Sequence, residues 1–189
     1  TDAGEHSATF SLLQGMWSDG TTANKTIKWV IGRATIAAVP AQSGMPKYDG
    51  NPKTPTWDTN YDTTKMTLSV EAQINAGAAY TASFTPTANW QWPDGDTGPK
   101  TATWGIAKGD NTMSISPTSL TLNSSAKSGK FTVNRKGSGV ISATSSNTGV
   151  ATVGAINQTT GEVTINSVND TTGTATITFK VAEDSNYLA

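Results

Sequence analysis

Side chains capable of nucleophilic or acid–base chemistry are scarce in this sequence. Its 189 residues include a single histidine, His6, and no cysteine. A Ser-His-Asp or Cys-His site would therefore depend on the histidine alone. The segment from Asp2 to Phe10 aligns with the segment from Asn75 to Phe84, which places His6 opposite Tyr80, at an inward-facing strand position. We interpret His6 as a strand residue and predict no catalytic triad.

The 14 acidic side chains are the second possible source of chemistry. Nothing in the sequence brings two of them across one cleft, as a glycosidase requires, so we predict a protein without enzymatic activity or cofactor. Asp94 and Asp96, in the loop from Pro93 to Gly98, alternate as at the start of a calcium loop. A related loop, Ser18 to Thr22, keeps the Asp-Gly pair without the second carboxylate. Asp94 and Asp96 are therefore secondary metal candidates, and a hairpin turn explains the Asp-Gly pair better.

Aromatic side chains are the third possibility, because exposed Trp and Tyr faces bind sugar rings and protein partners. Trp90 aligns with Gly15 in the other copy of an internal repeat, so the repeat does not need an indole there to fold. We predict Trp90 as the main contact candidate, with Trp57 and Tyr61 extending the patch. The alternative, that Trp90 packs on a neighbouring module or on Pro86, stays open.

The internal repeat is the clearest organising feature. MWSDGTTANKTIKW, Met16 to Trp29, aligns without a gap with QWPDGDTGPKTATW, Gln91 to Trp104. Repetition of this kind indicates a modular chain. We place the modules at residues 1–34, 35–109 and 110–189, and expect the first to be the C-terminal half of a repeat. The four matching tryptophans are predicted to be structural and to lie in cores: Trp17, Trp29, Trp92 and Trp104.

The pattern of the rest of the chain predicts β-strands only. Thr is the most common residue, with 33 copies, and apolar residues alternate with polar ones in short runs separated by turn formers. No stretch has a sustained helical period. The formal charge of −1 and the absence of a basic run argue against nucleic acid as a partner. No run of 18 apolar residues occurs, so we also predict no membrane insertion.

The order of segments in the third module carries a resemblance. From Ser119 to Thr178 the chain contains S-L-T-L, G-V-I-S-A-T-S-S-N, V-A-T-V, G-E-V-T-I and G-T-A-T-I-T in turn. This order resembles bacterial immunoglobulin-like domains of the group 2 type. In the middle module, Tyr48, Gly50 and Pro55 lie at the positions of the Y-x-G-x-x-x-x-P pattern, which is similar to a repeat found in tandem in exported Firmicute adhesin-like proteins.

These resemblances imply tandem immunoglobulin-like β-sandwich modules displayed outside the cell, on a bacterial surface or a phage virion. The expected function is a non-enzymatic spacer and adhesion array, whose partners are other modules and, in one alternative, a cell-surface glycan bound at Trp90, Trp57 and Tyr61. In the other alternative the chain is an assembly subunit, in which residues 1–34 are completed by strand exchange with another chain. Because such domains usually continue past an N-Y-x-A segment, here Asn186 to Ala189, the third module is expected to lack its last strand.

Overall fold

The computed structural model describes residues 2–169 and 171–189, and within these ranges the protein is all-β. It has no helix there and thirteen strands, which confirms the predicted fold class at this level. No helix long and apolar enough to cross a bilayer occurs in the described ranges. The strands are β1 (Gly4–Phe10), β2 (Lys25–Ile31), β3 (Ala34–Thr35), β4 (Met66–Val70), β5 (Gly77–Pro86), β6 (Trp90–Gln91), β7 (Lys100–Ile106), β8 (Met113–Ser116), β9 (Ser128–Arg135), β10 (Ile141–Ser145), β11 (Ala151–Ile156), β12 (Glu162–Ser167) and β13 (Ile177–Val181).

The strands form five small sheets. β1 and β2 make an antiparallel hairpin, and β4, β5 and β7 form a sheet with β5 in the centre. β3 and β6 form a short parallel pair. The remaining strands form a four-stranded sheet in the order β11-β12-β9-β8 and the pair β10-β13.

On β13 and β5, period-two alternation matches the observed burial of the side chains. On β13, Phe179 and Val181 are buried while Thr178 and Lys180 between and beside them are exposed. On β5, Ala82 and Phe84 are buried in the same way. An extended chain points successive side chains to opposite faces, so a strand that buries one face carries this pattern.

The chain divides into two compact units, and the division falls inside β5 and β7. The first unit contains the chain up to Gly44, Thr54–Ala72 and Ala79–Trp104, and the second contains Met45–Lys53, Gln73–Ala78 and Gly105–Ala189. The predicted module boundaries at residues 34/35 and 109/110 stay a prediction. The core of the first unit consists of Ile36, Met66, Ala82, Phe84, Trp92 and Trp104. The main core of the second consists of Phe131, Val133, Ile141, Val163, Ile165, Phe179 and Val181.

Candidate functional site

The two copies of the repeated hairpin have the same internal hydrogen bonds. The indole nitrogen of Trp17 donates to the carbonyl of Ala23 over 2.7 Å, and that of Trp92 donates to the carbonyl of Gly98 over 2.8 Å. In both cases the acceptor lies six residues after the tryptophan. The indole N–H therefore stabilises the turn of each copy by a hydrogen bond. Trp17 and Trp92 thus have a structural role.

The Asp-Gly pairs form turns in both copies, as predicted. Gly20 and Gly95 have φ of 77° and 82°, the left-handed region that glycine enters without steric cost. Asp94 forms an ion pair with Lys100. This pair, and after it the backbone N–H of Asp96, lowers the pKa of the Asp94 carboxyl. The contacts of Asp94 therefore stabilise the turn.

Asp19 pairs with Lys25 in the first copy in the same way as Asp94 pairs with Lys100. Asp96 accepts the backbone N–H of Gly98 at 2.8 Å. No group of three or more His, Cys, Asp or Glu side chains suited to a metal ion occurs among residues 2–169 and 171–189. The contacts of Asp94 and Asp96 are those of a stabilised hairpin.

His6 and Tyr80 occupy matching positions, as the alignment predicts. His6 stacks on Trp29 with ring centroids 5.8 Å apart, and Tyr80 lies 5.1 Å from Trp104 in the second copy. The Nε2 atom of His6 lies 2.8 Å from the carbonyl oxygen of Asp2. The histidine is thus placed as a strand residue that covers a tryptophan ring.

The prediction that Trp17 and Trp29 lie in cores is wrong. Trp17 is only half-buried and Trp29 is 45% exposed, whereas the matching Trp92 and Trp104 are 0% and 2% exposed. In the described chain β5 is paired with β4 as well as β7, and β1 is paired only with β2. The two copies therefore share the pairing of their own two strands but differ in their neighbouring strands.

Trp57 and Tyr61 converge on the core of the first unit. Their rings contact Phe84 edge-on or tilted, with centroid distances of 4.8 Å and 5.8 Å. Both side chains are half-buried. The indole nitrogen of Trp57 is buried and has no hydrogen-bond partner among the described residues. The structure therefore brings these two candidates together, around a packed aromatic centre.

Trp90 lies on β6, where its backbone pairs with Ala34 of β3. The ammonium of Lys65 sits 5.2 Å from the centroid of its ring, which is a cation–π distance. The ring is half-buried. The ring of Trp90 thus contacts a side chain that reaches solvent, whereas the rings of Trp57 and Tyr61 contact a buried aromatic residue.

A cavity of about 570 Å³ lies in the second unit. Its apolar wall includes Leu120, Leu122, Phe131, Ile165 and Phe179, and the rest is contributed by small residues and hydroxyl groups. No charged side chain lines it among the described residues.

Two asparagines that sequence reasoning did not identify hold the hairpins in place. Asn89 and Asn186 each precede an aromatic residue, Trp90 and Tyr187, and each contacts a repeated hairpin. The Asn-aromatic dipeptide was visible in the sequence. A single dipeptide does not identify a functional residue in a sequence until its long-range contacts are known.

The segment before Tyr187 is fixed by Asp184, which suggests a pH test. The backbone N–H of Asn186, followed by those of Tyr187 and Ser138, lowers the pKa of Asp184 to about 2. The pKa of an unfolded Asp is about 3.9. A depressed native pKa stabilises the fold above the unfolded value, and this contribution is lost as the pH falls through about 4 toward 2. We expect stability to decline across this window.

Asp184→Asn should flatten that part of the pH profile, because the amide oxygen still accepts hydrogen bonds but does not titrate. The measurement is the urea midpoint at several pH values between 2 and 6. Asp110→Asn is the matched control, since Asp110 pairs only with exposed Lys47 in the structure. An unchanged slope in Asp184→Asn would contradict the assignment.

No protein-family model, curated protein or solved structure matches this chain. The immunoglobulin-like resemblance consequently stays a prediction.

Proposed function

We propose that the protein is a non-enzymatic, immunoglobulin-like spacer and adhesion array displayed on a bacterial cell surface or phage virion. The observation that supports this is a repeated joint. After the first hairpin, Ala34 pairs in parallel with Trp90, and after the second, Gly109 pairs in parallel with Tyr187. Each of the two hairpin copies is thus joined in the same way to the segment that follows it. This arrangement is typical of a chain built by adding units in series.

Each joint is made by backbone hydrogen bonds and leaves no free linker. The N–H of Ala34 donates to Asn89 over 2.8 Å, and the N–H of Gly109 donates to Asn186 over 2.8 Å. At the second joint Tyr48 packs edge-on against Tyr187, with ring centroids 5.1 Å apart. Such joints restrict the relative motion of a hairpin and the segment on which it docks, as a spacer requires.

Surface display is tested on the organism that makes the protein. An antiserum against the purified chain should label intact cells or intact virions, and external protease should release the labelled material. A cytoplasmic protein used as a loading control should stay unlabelled. Signal that appears only after lysis would rule out the proposed location.

A second candidate function, the assembly subunit, has a specific observation in its favour. The hairpin β1–β2 exposes apolar side chains whose matching residues are buried: Phe10 is 49% exposed and Phe84 0%, and Trp29 and Trp104 differ in the same sense. A strand of another chain added beside β1, as β4 is added beside β5, would extend this sheet, and the rest of that chain would bury the exposed face by packing on it. A concentration-independent monomer with full exposure of Trp29 to a soluble quencher would argue against it.

The glycan alternative depends on Trp90, because Trp57 and Tyr61 pack on Phe84. For a spacer, we expect Trp90→Ala to leave retention on polysaccharide resins and glycan arrays unchanged. Trp57→Ala serves as the comparison, since its loss would act through the core and lower stability. Specific retention of the wild-type chain that Trp90→Ala removes would establish the carbohydrate-binding alternative in place of the spacer.

A further inference from the structure

Asn89 ties together both ends of the first hairpin. Its Oδ1 accepts the N–H of Ala3, just before β1, over 2.7 Å, and its backbone oxygen accepts the N–H of Ala34, just after β2, over 2.8 Å. Its Nδ2 donates to a carboxylate oxygen of Asp2 over 2.8 Å. One residue therefore binds the hairpin at its first and last positions.

Asn186 makes the same three hydrogen bonds with the second hairpin. Its Oδ1 accepts the N–H of Ala76 over 2.8 Å, and its backbone oxygen accepts the N–H of Gly109 over 2.8 Å. Its Nδ2 donates to the side-chain oxygen of Asn75 over 3.2 Å. The contacts of Asn186 therefore match those of Asn89 in the side-chain donor, the side-chain acceptor and the backbone acceptor.

The side chain at this position must accept and donate at the same time. An amide does both, whereas a carboxylate only accepts and an alanine does neither. The flanking pattern also recurs: each hairpin begins with Asp-Ala-Gly or Asn-Ala-Gly, and each asparagine is followed by an aromatic residue. The segments around Asn89 and Asn186 otherwise differ in sequence. The shared contacts therefore belong to the joint.

We propose that the Asn-aromatic segment is a docking site for one class of partner, the hairpin of a preceding repeat that begins with Asp/Asn-Ala-Gly. Asn89 and Asn186 are the positioning residues of this site, and the side chains of Asp2 and Asn75 complete it. The proposal deepens the array function and rests on it, because it specifies how one unit is attached to the next.

The test measures hydrogen exchange of the hairpin amides in the full chain. We expect the first hairpin to depend on the Asn89 contacts, because Ile27 and Trp29, which share one face of β2, are 58% and 45% exposed. In Asn89→Ala we expect exchange in β1 and β2 to become about tenfold faster or more, as loss of two hydrogen bonds allows. Exchange in β9 and β12 should not change.

Charge variants separate the docking role from general stability. Asn89→Asp loses the donor and places a carboxylate against Asp2, so it should accelerate exchange as Asn89→Ala does. Adding Asp2→Asn restores a donor–acceptor pair and should return exchange in β1 and β2 to within about threefold of wild type, a factor smaller than one hydrogen bond's effect.

Asn157→Ala is the matched control. Asn157 also accepts backbone N–H groups through its side chain, those of Thr159 and Thr160, but in a local turn. It should leave exchange in β1 and β2 unchanged. Unaltered exchange in Asn89→Ala, or failure of Asp2→Asn to rescue Asn89→Asp, would overturn the docking proposal. Neither result would affect surface labelling, which tests the array function separately.

Discussion

Trp104→Ala is expected to destabilise the first unit by about 3–5 kcal/mol, the range for removal of a fully buried tryptophan. Trp104 is 2% exposed and contacts Tyr80 at a ring distance of 5.1 Å. Truncation to a methyl group removes most of its contacts and leaves a cavity that the surrounding strands cannot fill without moving. The urea midpoint, followed by far-ultraviolet circular dichroism, measures the loss.

Trp29→Ala is the matched control for this prediction. Trp29 lies at the repeat position of Trp104 and stacks on His6, but it is 45% exposed. Its removal should cost about 1 kcal/mol or less, as for a partly solvated side chain. Equal losses in the two variants would show that the difference in burial between Trp29 and Trp104 does not determine the cost of removing them.

Gly109→Ala is expected to weaken the second joint by about 1–3 kcal/mol, the usual range for overpacking. A Cβ at this position would lie 2.4 Å from the backbone oxygen of Tyr48 and 3.3 Å from the ring of Tyr187. The backbone oxygen cannot move away cheaply, because the N–H of Tyr48 is itself bonded to Ala107 over 2.9 Å. We therefore expect the clash to displace Gly109 and to weaken its parallel bridge with Tyr187.

Hydrogen exchange at Gly109 and Leu188, whose N–H donates to the Gly109 carbonyl over 3.0 Å, reports this change. Gly32→Ala is the control, because a Cβ there meets nothing within 4 Å. A Gly109→Ala variant with wild-type exchange at Leu188 would show that the joint relaxes without cost.

Several features of the fold could be predicted from sequence because they depend on neighbours along the chain. The Asp94-Gly95 turn follows from the freedom of glycine at positive φ, and the inward face of β13 follows from alternation of Phe179 and Val181 with polar residues. The position of His6 on a strand also followed, because the repeat aligned it with Tyr80. In each case the determining interactions span few residues or a single hairpin.

The sequence predicted the surroundings of the candidate contact residues less well than it predicted the turns and strands. Trp57 and Tyr61 were predicted as an exposed extension of Trp90, yet both rings lie against Phe84. Their sequence separation from Phe84 gives no indication of that contact, because it arises from the packing of a loop against a distant strand. Trp90 lies on strand β6, and the ammonium of Lys65 is positioned over its ring.

The sequence by itself determined that the chain is all-β and that one hairpin occurs twice, since strand periodicity and turn chemistry are local. The tertiary structure decided what each copy does. Trp29 and Trp104 occupy matching positions in the repeat but differ in burial, which the repeated sequence does not show. The hydrogen bond of Asn89 to Ala3, 86 positions away, is likewise visible only in the tertiary structure. Contacts of that range depend on how strands pack, and the pattern along a strand carries no record of them.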